Sequence, residues 1–182
     1  VPPARVDGTG QFTVQGVLPG KYVLRATNVP GGWSLKGATN GGMDITDTPF
    51  EVEDRDLTGI TVTFFDRPSE LRGTVRGSGN ATDVSAAVVV FPADTRSWTN
   101  YGVNPRRMRM SRTGKNGQFT FSGLPAGEYF AAAISDEVAG EWQDPQFLDQ
   151  LTRGASRVTI GEGQKVSQDL AIQNVRPGGG LT

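Results

Sequence analysis

The sequence predicts an all-β chain built as two antiparallel β-sandwiches in tandem, with one short helix in the second. Three observations predict it. The 182 residues include 25 glycines and 11 prolines against an apolar share of 36%, the composition of short strands joined by tight turns. Between those turns the apolar residues alternate or form short runs, the marks of half-buried and fully buried strands. One turn-and-strand pattern also occurs twice.

Residues Gly10-Gln11-Phe12-Thr13 recur as Gly117-Gln118-Phe119-Thr120. At the same offset of 107, Gly16, Gly20 and Tyr22 recur as Gly123, Gly127 and Tyr129. Leu18-Pro19 and Leu124-Pro125 lie between those glycines, displaced by one residue. Further on, at an offset of 108, Phe50 and Val52 correspond to Val158 and Ile160, and Val62 and Phe64 to Leu170 and Ile172. A generic hairpin explains one copy. It does not explain two copies followed by matching strands.

In the first copy, Asp7-Gly8-Thr9-Gly10 supplies the positive φ of a hairpin turn, and residues 10–15 alternate as a strand. Leu18-Pro19-Gly20 then reverses the chain, and strands are expected at 21–27, 50–53 and 58–65. The linker Asp66-Arg67-Pro68-Ser69 is short, so the two modules are expected nearly end to end.

In the second copy, residues 70–76 alternate and stop at Ser78-Gly79-Asn80. Ala86 to Phe91 is a continuous apolar run stopped by Pro92, a central strand. Residues 106–112 alternate Met108 and Met110 with Arg107 and Arg109, which predicts methionines in the core and solvated arginines. Gly114-Lys115-Asn116-Gly117 repeats the turn, followed by strands at 118–122 and 128–134. Asp144 before Pro145, with Phe147, Leu148 and Leu151 behind, predicts a short helix capping an open end of the sandwich. Strands at 157–161 and 166–172 complete a set of seven.

Residues 67–175 therefore form a complete module, 176–182 a glycine-rich tail, and 1–66 an incomplete module holding the last four strands. Counterparts of 70–76 and 86–91 are missing from 1–66. A sandwich short of two strands exposes apolar faces and unpaired edges. The expectation is that the chain is a fragment of a longer protein; the alternative is that another chain supplies the strands.

The pattern Gly-x-Phe-x-x-x-Gly-Leu-Pro-x-Gly-x-Tyr at 117–129 resembles the carboxypeptidase regulatory-like domain. That family is related to transthyretin and to collagen-adhesin B-type repeats, and the resemblance covers about residues 69 to 173. It implies an Ig-like, transthyretin-like sandwich and an exported protein: extracellular, cell-surface or periplasmic. The motif marks a turn and not a site, so it implies no activity. Enzymes among the relatives, the hydroxyisourate hydrolases and intradiol dioxygenases, use histidine, and this chain has none. The parent carboxypeptidases hold catalytic zinc in a separate domain. Adhesin repeats often carry an isopeptide bond from a lysine on the first strand. Here that strand has Arg72 and Arg76, and the lysines are Lys21, Lys36, Lys115 and Lys165.

Without histidine or cysteine the chain has no imidazole base, Ser-His triad or thiolate nucleophile. No catalytic residue and no cofactor are expected. A net charge of −1 gives no global attraction to nucleic acid, and no apolar run approaches the roughly 20 residues of a membrane span. Asp44 and Asp47, with Asp54 and Asp56, offer oxygens of the kind calcium takes, but not the spaced series of a dedicated loop.

Trp33, Trp98 and Trp142 are placed in loops, where an indole either stacks on a sugar ring or plugs the end of a sandwich. Arg107 and Arg109, in the run from Arg106 to Arg112, either recognise an acidic glycan or guard a strand edge against aggregation. Residues 1–66 carry 5 basic and 8 acidic side chains and residues 67–182 carry 13 and 11, so opposite net signs favour head-to-tail association.

The expected function is structural: a spacer or stalk module, or a subunit of an extracellular assembly such as a filament completed by strand donation. Its partners are then proteins, copies of itself included. The alternatives are a carbohydrate-binding or adhesive module using the tryptophans, and an accessory domain of a longer envelope protein.

Overall fold

The run Ala86–Pro92 is apolar at every position because it is buried on both faces, and it lies at the middle of the second unit. The computed structural model describes residues 3–29, 31–77, 85–99 and 105–175. The expected turn at Ser78-Gly79-Asn80 and the tail 176–182 lie outside them. The chain divides into two units, Val1–Phe65 and Asp66–Thr182. Both are built of β-strands, with a single α-helix among the described residues.

Unit 1 contains β1 (Gly20–Tyr22), β2 (Ser34–Asn40), β3 (Met43–Asp44), β4 (Phe50–Val52) and β5 (Ile60–Phe65). They form a pair, β1-β4, and a three-stranded sheet ordered β3-β2-β5. Unit 2 contains β6 (Glu70–Arg76), β7 (Ala86–Pro92), β8 (Arg109–Arg112), β9 (Gln118–Ser122), β10 (Gly127–Ser135), β11 (Ser156–Ile160), β12 (Lys165–Ser167) and β13 (Leu170–Gln173). Its helix is α1 (Pro145–Thr152).

In unit 2, β10 pairs with β7 and β11, and β7 pairs with β8, all antiparallel. The other layer is β6 with β9, antiparallel, flanked by β12 and β13, which run parallel to β6. β13 also pairs with β10 and so joins the layers. Between them lie Leu71, Val75, Val88, Val90, Phe119, Phe121, Leu124, Tyr129 and Leu170. The run expected as one strand at 166–172 is two strands. The chain steps at Gln168-Asp169, where the Asp169 carboxylate accepts from the Thr74 N–H at 2.9 Å. Among the described residues unit 2 therefore has eight strands and not seven.

The helix starts as expected: Asp144 caps it by accepting from the Gln146 N–H at 2.8 Å, with Pro145 in the first turn. Its position corrects the expectation. It does not close an end of the sandwich. Phe147, Leu148 and Leu151 cover the outer face of β7 and β10, packing with Val89, Phe91, Ile134 and Trp98 in a second core. Burying each such side chain stabilises by about 1.5–3 kcal/mol. β7 and β10 need apolar residues at consecutive positions because a core lies on each side.

Unit 1 departs further from expectation. Residues 10–15 form no strand, and the strand expected at 21–27 ends at Tyr22. Both failures have one cause. In unit 2, β9 forms its ladder with β6, and β10 forms its long ladder with β7. Unit 1 has no counterpart of β6 or β7 among its described residues, so these backbones have no ladder to join. The strands expected at 50–53 and 58–65 are present as β4 and β5. Beside β5 lies β2, which was not expected, turned into β3 by Gly41 and Gly42 at φ +56° and +86°.

Candidate functional site

The two copies of the repeat fold alike at their turns. The Asp7 N–H donates to the Gln11 carbonyl at 2.9 Å, and the Gly10 N–H to the Asp7 carbonyl at 3.1 Å. At 114–118 the same two bonds run from Gly114 to Gln118 and from Gly117 to Gly114, at 2.8 and 2.9 Å. Gly10 and Gly117 sit at φ +81° and +68°, and Gly16 and Gly123 at +70° and +75°, left-handed conformations that favour glycine. The Tyr22 hydroxyl donates to the Leu18 carbonyl at 2.8 Å, and the Tyr129 hydroxyl to the Pro125 carbonyl at 2.7 Å. The registers also agree. Gly20 faces Val52 and Tyr22 faces Phe50, as Gly127 faces Ile160 and Tyr129 faces Val158.

The environments then diverge. Phe121 is 2% exposed and its counterpart Val14 38%; Pro125 is buried and its counterpart Leu18 is 73% exposed. Val6, Trp33, Met43 and Leu57 are exposed too, so the large apolar side chains that reach solvent among the described residues all lie in unit 1. Sequence reading located Val14 and Leu18 only as members of the repeat; the signal for their exposure was the missing partner strands.

The arginine run does not lie free in solvent, as sequence reading had it. Arg109, on the edge strand β8, donates through Nη1 to the Ser122 carbonyl at the end of β9, at 2.7 Å. It bridges two strands that share a turn yet belong to different layers. Burial pulls its guanidinium below the usual arginine value. Arg107 donates through Nη1 to the Ala126 carbonyl at 3.2 Å, and Arg112 meets Asp136 at 2.6 Å. Met108 is buried as expected, and Met110 is partly buried against the helix-side core.

Arg107 also borders an open hollow of about 500 Å³ together with Arg96, Arg157, Asp94 and Glu128. Arg96 grips Asp94 through Nε and Nη2, at 3.0 and 2.9 Å, which lowers the Asp94 carboxyl and raises the Arg96 guanidinium. Arg157 is paired with Glu128. Both carboxylates of the hollow are thus already engaged by arginines. Arg96 and Arg157 are distant in sequence from Arg107, and nothing in the pattern linked the three.

The tryptophans separate. Trp98 is not in a loop: it ends a 3₁₀ turn (Thr95–Trp98) and is 4% exposed. Its Nε1 donates to the Pro92 carbonyl at 2.8 Å, and its ring meets Phe91 edge-on at 5.5 Å. Trp142 is partly buried against the same core. Both cover the outer face of the sheet and do not plug an end of the sandwich. Trp33, beside Gly31 and Gly32, is 50% exposed.

Of the aspartates considered for calcium, Asp44 accepts from both the N–H and the hydroxyl of Thr46, and Asp47 acts electrostatically on the partly buried Arg25. Asp54 and Asp56 are exposed beside the Glu53–Arg55 ion pair. Among the described residues no three His, Cys, Asp or Glu side chains converge as a metal site, and no helix is long and apolar enough to cross a membrane.

No protein-family model and no curated protein matches the chain. Among solved structures it is similar to BcpA, the major pilin subunit of Bacillus cereus, at 17% identity over 69% of this chain and 34% of that one, with a TM-score of 0.40. It is similar to GBS52, the minor pilin of Streptococcus agalactiae, at 16% identity over 86% and 66%, TM-score 0.37. It is also similar to catechol 1,2-dioxygenase from Acinetobacter sp. ADP1, at 13% identity over 58% and 52%, TM-score 0.33. Overlap this partial assigns no role to any residue of this chain.

Unit 1 exposes Val6, Val14, Leu18 and Leu57, and unit 2 by itself carries the hollow bordered by Arg96, Arg107 and Arg157.

Proposed function

We propose that the chain is a non-catalytic structural module of a secreted, cell-surface or periplasmic protein, acting as a spacer or as a subunit of an extracellular assembly. It consists of two copies of one transthyretin-like module of the carboxypeptidase regulatory-like kind, at 1–66 and 67–175, with the first short of two strands. The observation that carries this reading is the contrast between matched turns and mismatched burial. Val14 and Leu18 lie beside turns built like those of unit 2, yet they reach solvent where their counterparts Phe121 and Pro125 are buried. A side-chain inventory without histidine or cysteine agrees with a module that binds and does not catalyse.

Light scattering on size-exclusion fractions from about 1 to 100 μM tests it. Concentration-dependent association is expected, weakened by Val14→Lys and Leu18→Lys. A monomer across the whole range counts against the assembly reading.

Trp33 supports a second reading, a glycan-binding module, because it alone of the three indoles presents about half its surface. A glycan array probed with the wild-type chain and with Trp33→Ala decides it. Signals lost in the variant support this reading, and silence from both removes it.

A further inference from the structure

We infer that the hollow bordered by Arg96, Arg107 and Arg157 is a subsite for a uronate oligosaccharide, a sugar chain that carries carboxylates among its hydroxyls. The inference goes beyond the structural reading and stands on unit 2 alone. Three separate segments bring the arginines together: the 3₁₀ turn after β7, the stretch before β8, and β11. The hollow opens where β7 ends and β10 begins. There Pro92 faces Tyr129, and the Ala93 N–H donates to the Glu128 carbonyl at 2.9 Å. A volume of about 500 Å³ lies within the usual range for small-molecule sites.

Arg107 is fixed in place. Its Nη1 donates to the Ala126 carbonyl at 3.2 Å and to the Tyr129 hydroxyl at 3.4 Å. Gly127 makes room for it, since a Cβ there would lie 3.0 Å from that nitrogen. A guanidinium already held loses little freedom when an anion arrives. Arg96 and Arg157 keep donors unused. Arg96 engages Asp94 through Nε and Nη2, and Arg157 engages Glu128 through Nη2. Among the described residues, Nη1 of Arg96 and both Nε and Nη1 of Arg157 donate to no protein group.

The lining selects the class of ligand. Guanidinium groups only donate, and ionised carboxylates only accept. Sulfate also only accepts, so it suits the arginines and is repelled by Asp94 and Glu128. A uronate supplies both kinds of group. Its carboxylate matches a guanidinium fork, and its hydroxyls donate to the protein's carboxylates. Oε1 of Glu128, without a partner among the described residues, is the acceptor best placed for them. A neutral sugar wants an aromatic face to stack on, and no aromatic ring among the described residues borders the hollow. An acidic peptide brings side-chain carboxylates without hydroxyls beside them.

The test titrates the 182-residue chain with a galacturonate tetramer and follows amide chemical shifts. Saturable shifts are expected at residues 93–97, 107, 128 and 157, with unit 1 unmoved. Arg96→Ala and Arg157→Ala each weaken binding about tenfold, the loss of one charge-assisted contact. Both side chains are exposed, so these variants keep the fold. Arg153→Ala removes the same charge outside the hollow and leaves affinity within about twofold of wild type. Silence toward the tetramer, shifts away from the hollow, or equal losses in all three variants overturns the inference. Equal binding of the neutral galactose tetramer overturns it as well. A glutamate tetrapeptide that binds as tightly makes an acidic peptide the ligand instead. Glycan binding lost in Trp33→Ala and kept in the arginine variants removes this site and supports the Trp33 reading. A chain that stays monomeric yet binds the tetramer at the hollow keeps this inference and counts only against assembly.

Discussion

The Tyr129 hydroxyl and the Pro125 carbonyl form a 2.7 Å hydrogen bond inside unit 2, where Tyr129 is fully buried. It spans four residues and ties β10 to the turn that precedes it. Tyr129→Phe leaves the Pro125 carbonyl short of a donor in a dry setting, which costs about 1–3 kcal/mol. The corresponding Tyr22–Leu18 bond is exposed, so water replaces it, and Tyr22→Phe costs less than about 0.5 kcal/mol. Urea unfolding of the two variants, followed by signals from each unit, measures the difference.

Gly73 provides a steeper test. Gly73→Ala drives a methyl into the backbone of Gln168 and is expected to destabilise unit 2 by about 3 kcal/mol. Gly140 has nothing within 4 Å of an added Cβ, and Gly140→Ala stays within about 0.5 kcal/mol of wild type. Thermal midpoints that fall equally in both variants would contradict the packing of β6 described above.

The indoles differ by environment. Trp98→Ala removes a buried ring, its edge contact with Phe91 and its bond to Pro92, at a cost of about 3–5 kcal/mol. Trp33→Ala is nearly neutral, because the ring is half exposed. In fluorescence, iodide quenches the Trp33 emission first, and a quenchable population that survives Trp33→Ala would count against this placement.

Asp7 gives a pH signature confined to one copy. Its carboxyl lies below the ordinary 3.8 because the Thr9 hydroxyl donates to it, followed by the N–H groups of Gln11 and Thr9. A carboxyl lowered in the fold contributes fully above its unfolded value, and that contribution is lost as pH falls through the lower folded value. The Thr9 and Gln11 amides should therefore shift together below about pH 4. The turn at 114–118 has glycine in place of Asp7 and should show no such transition. Asp7→Asn abolishes the effect.

Most of unit 2 was legible in the sequence, because its strands alternate or run apolar according to the faces they bury. β6 and β9 are matched residue for residue, and Asp144-Pro145 announced the helix. Its place over the outer face was not legible, since Phe147, Leu148 and Leu151 suit any apolar cover. Trp98 was misplaced because a single 3₁₀ turn leaves no periodic trace. Unit 1 was overread: a strand pattern such as Gln11 to Gln15 specifies which side would be buried and cannot supply a neighbour. β2 was missed although Asn40-Gly41 is a strong hairpin signal, because the second copy has α1 in the corresponding stretch and so offered no template.

Amide hydrogen exchange on the intact chain, comparing residues 12–15 with 119–122, tests the central claim most directly. If unit 1 is a copy left without its β6 partner, 12–15 exchange within about tenfold of an unstructured chain, while 119–122 are slowed at least about a thousandfold. Equal, strong protection of both segments would mean that the first copy already has its neighbour, and the account would be wrong.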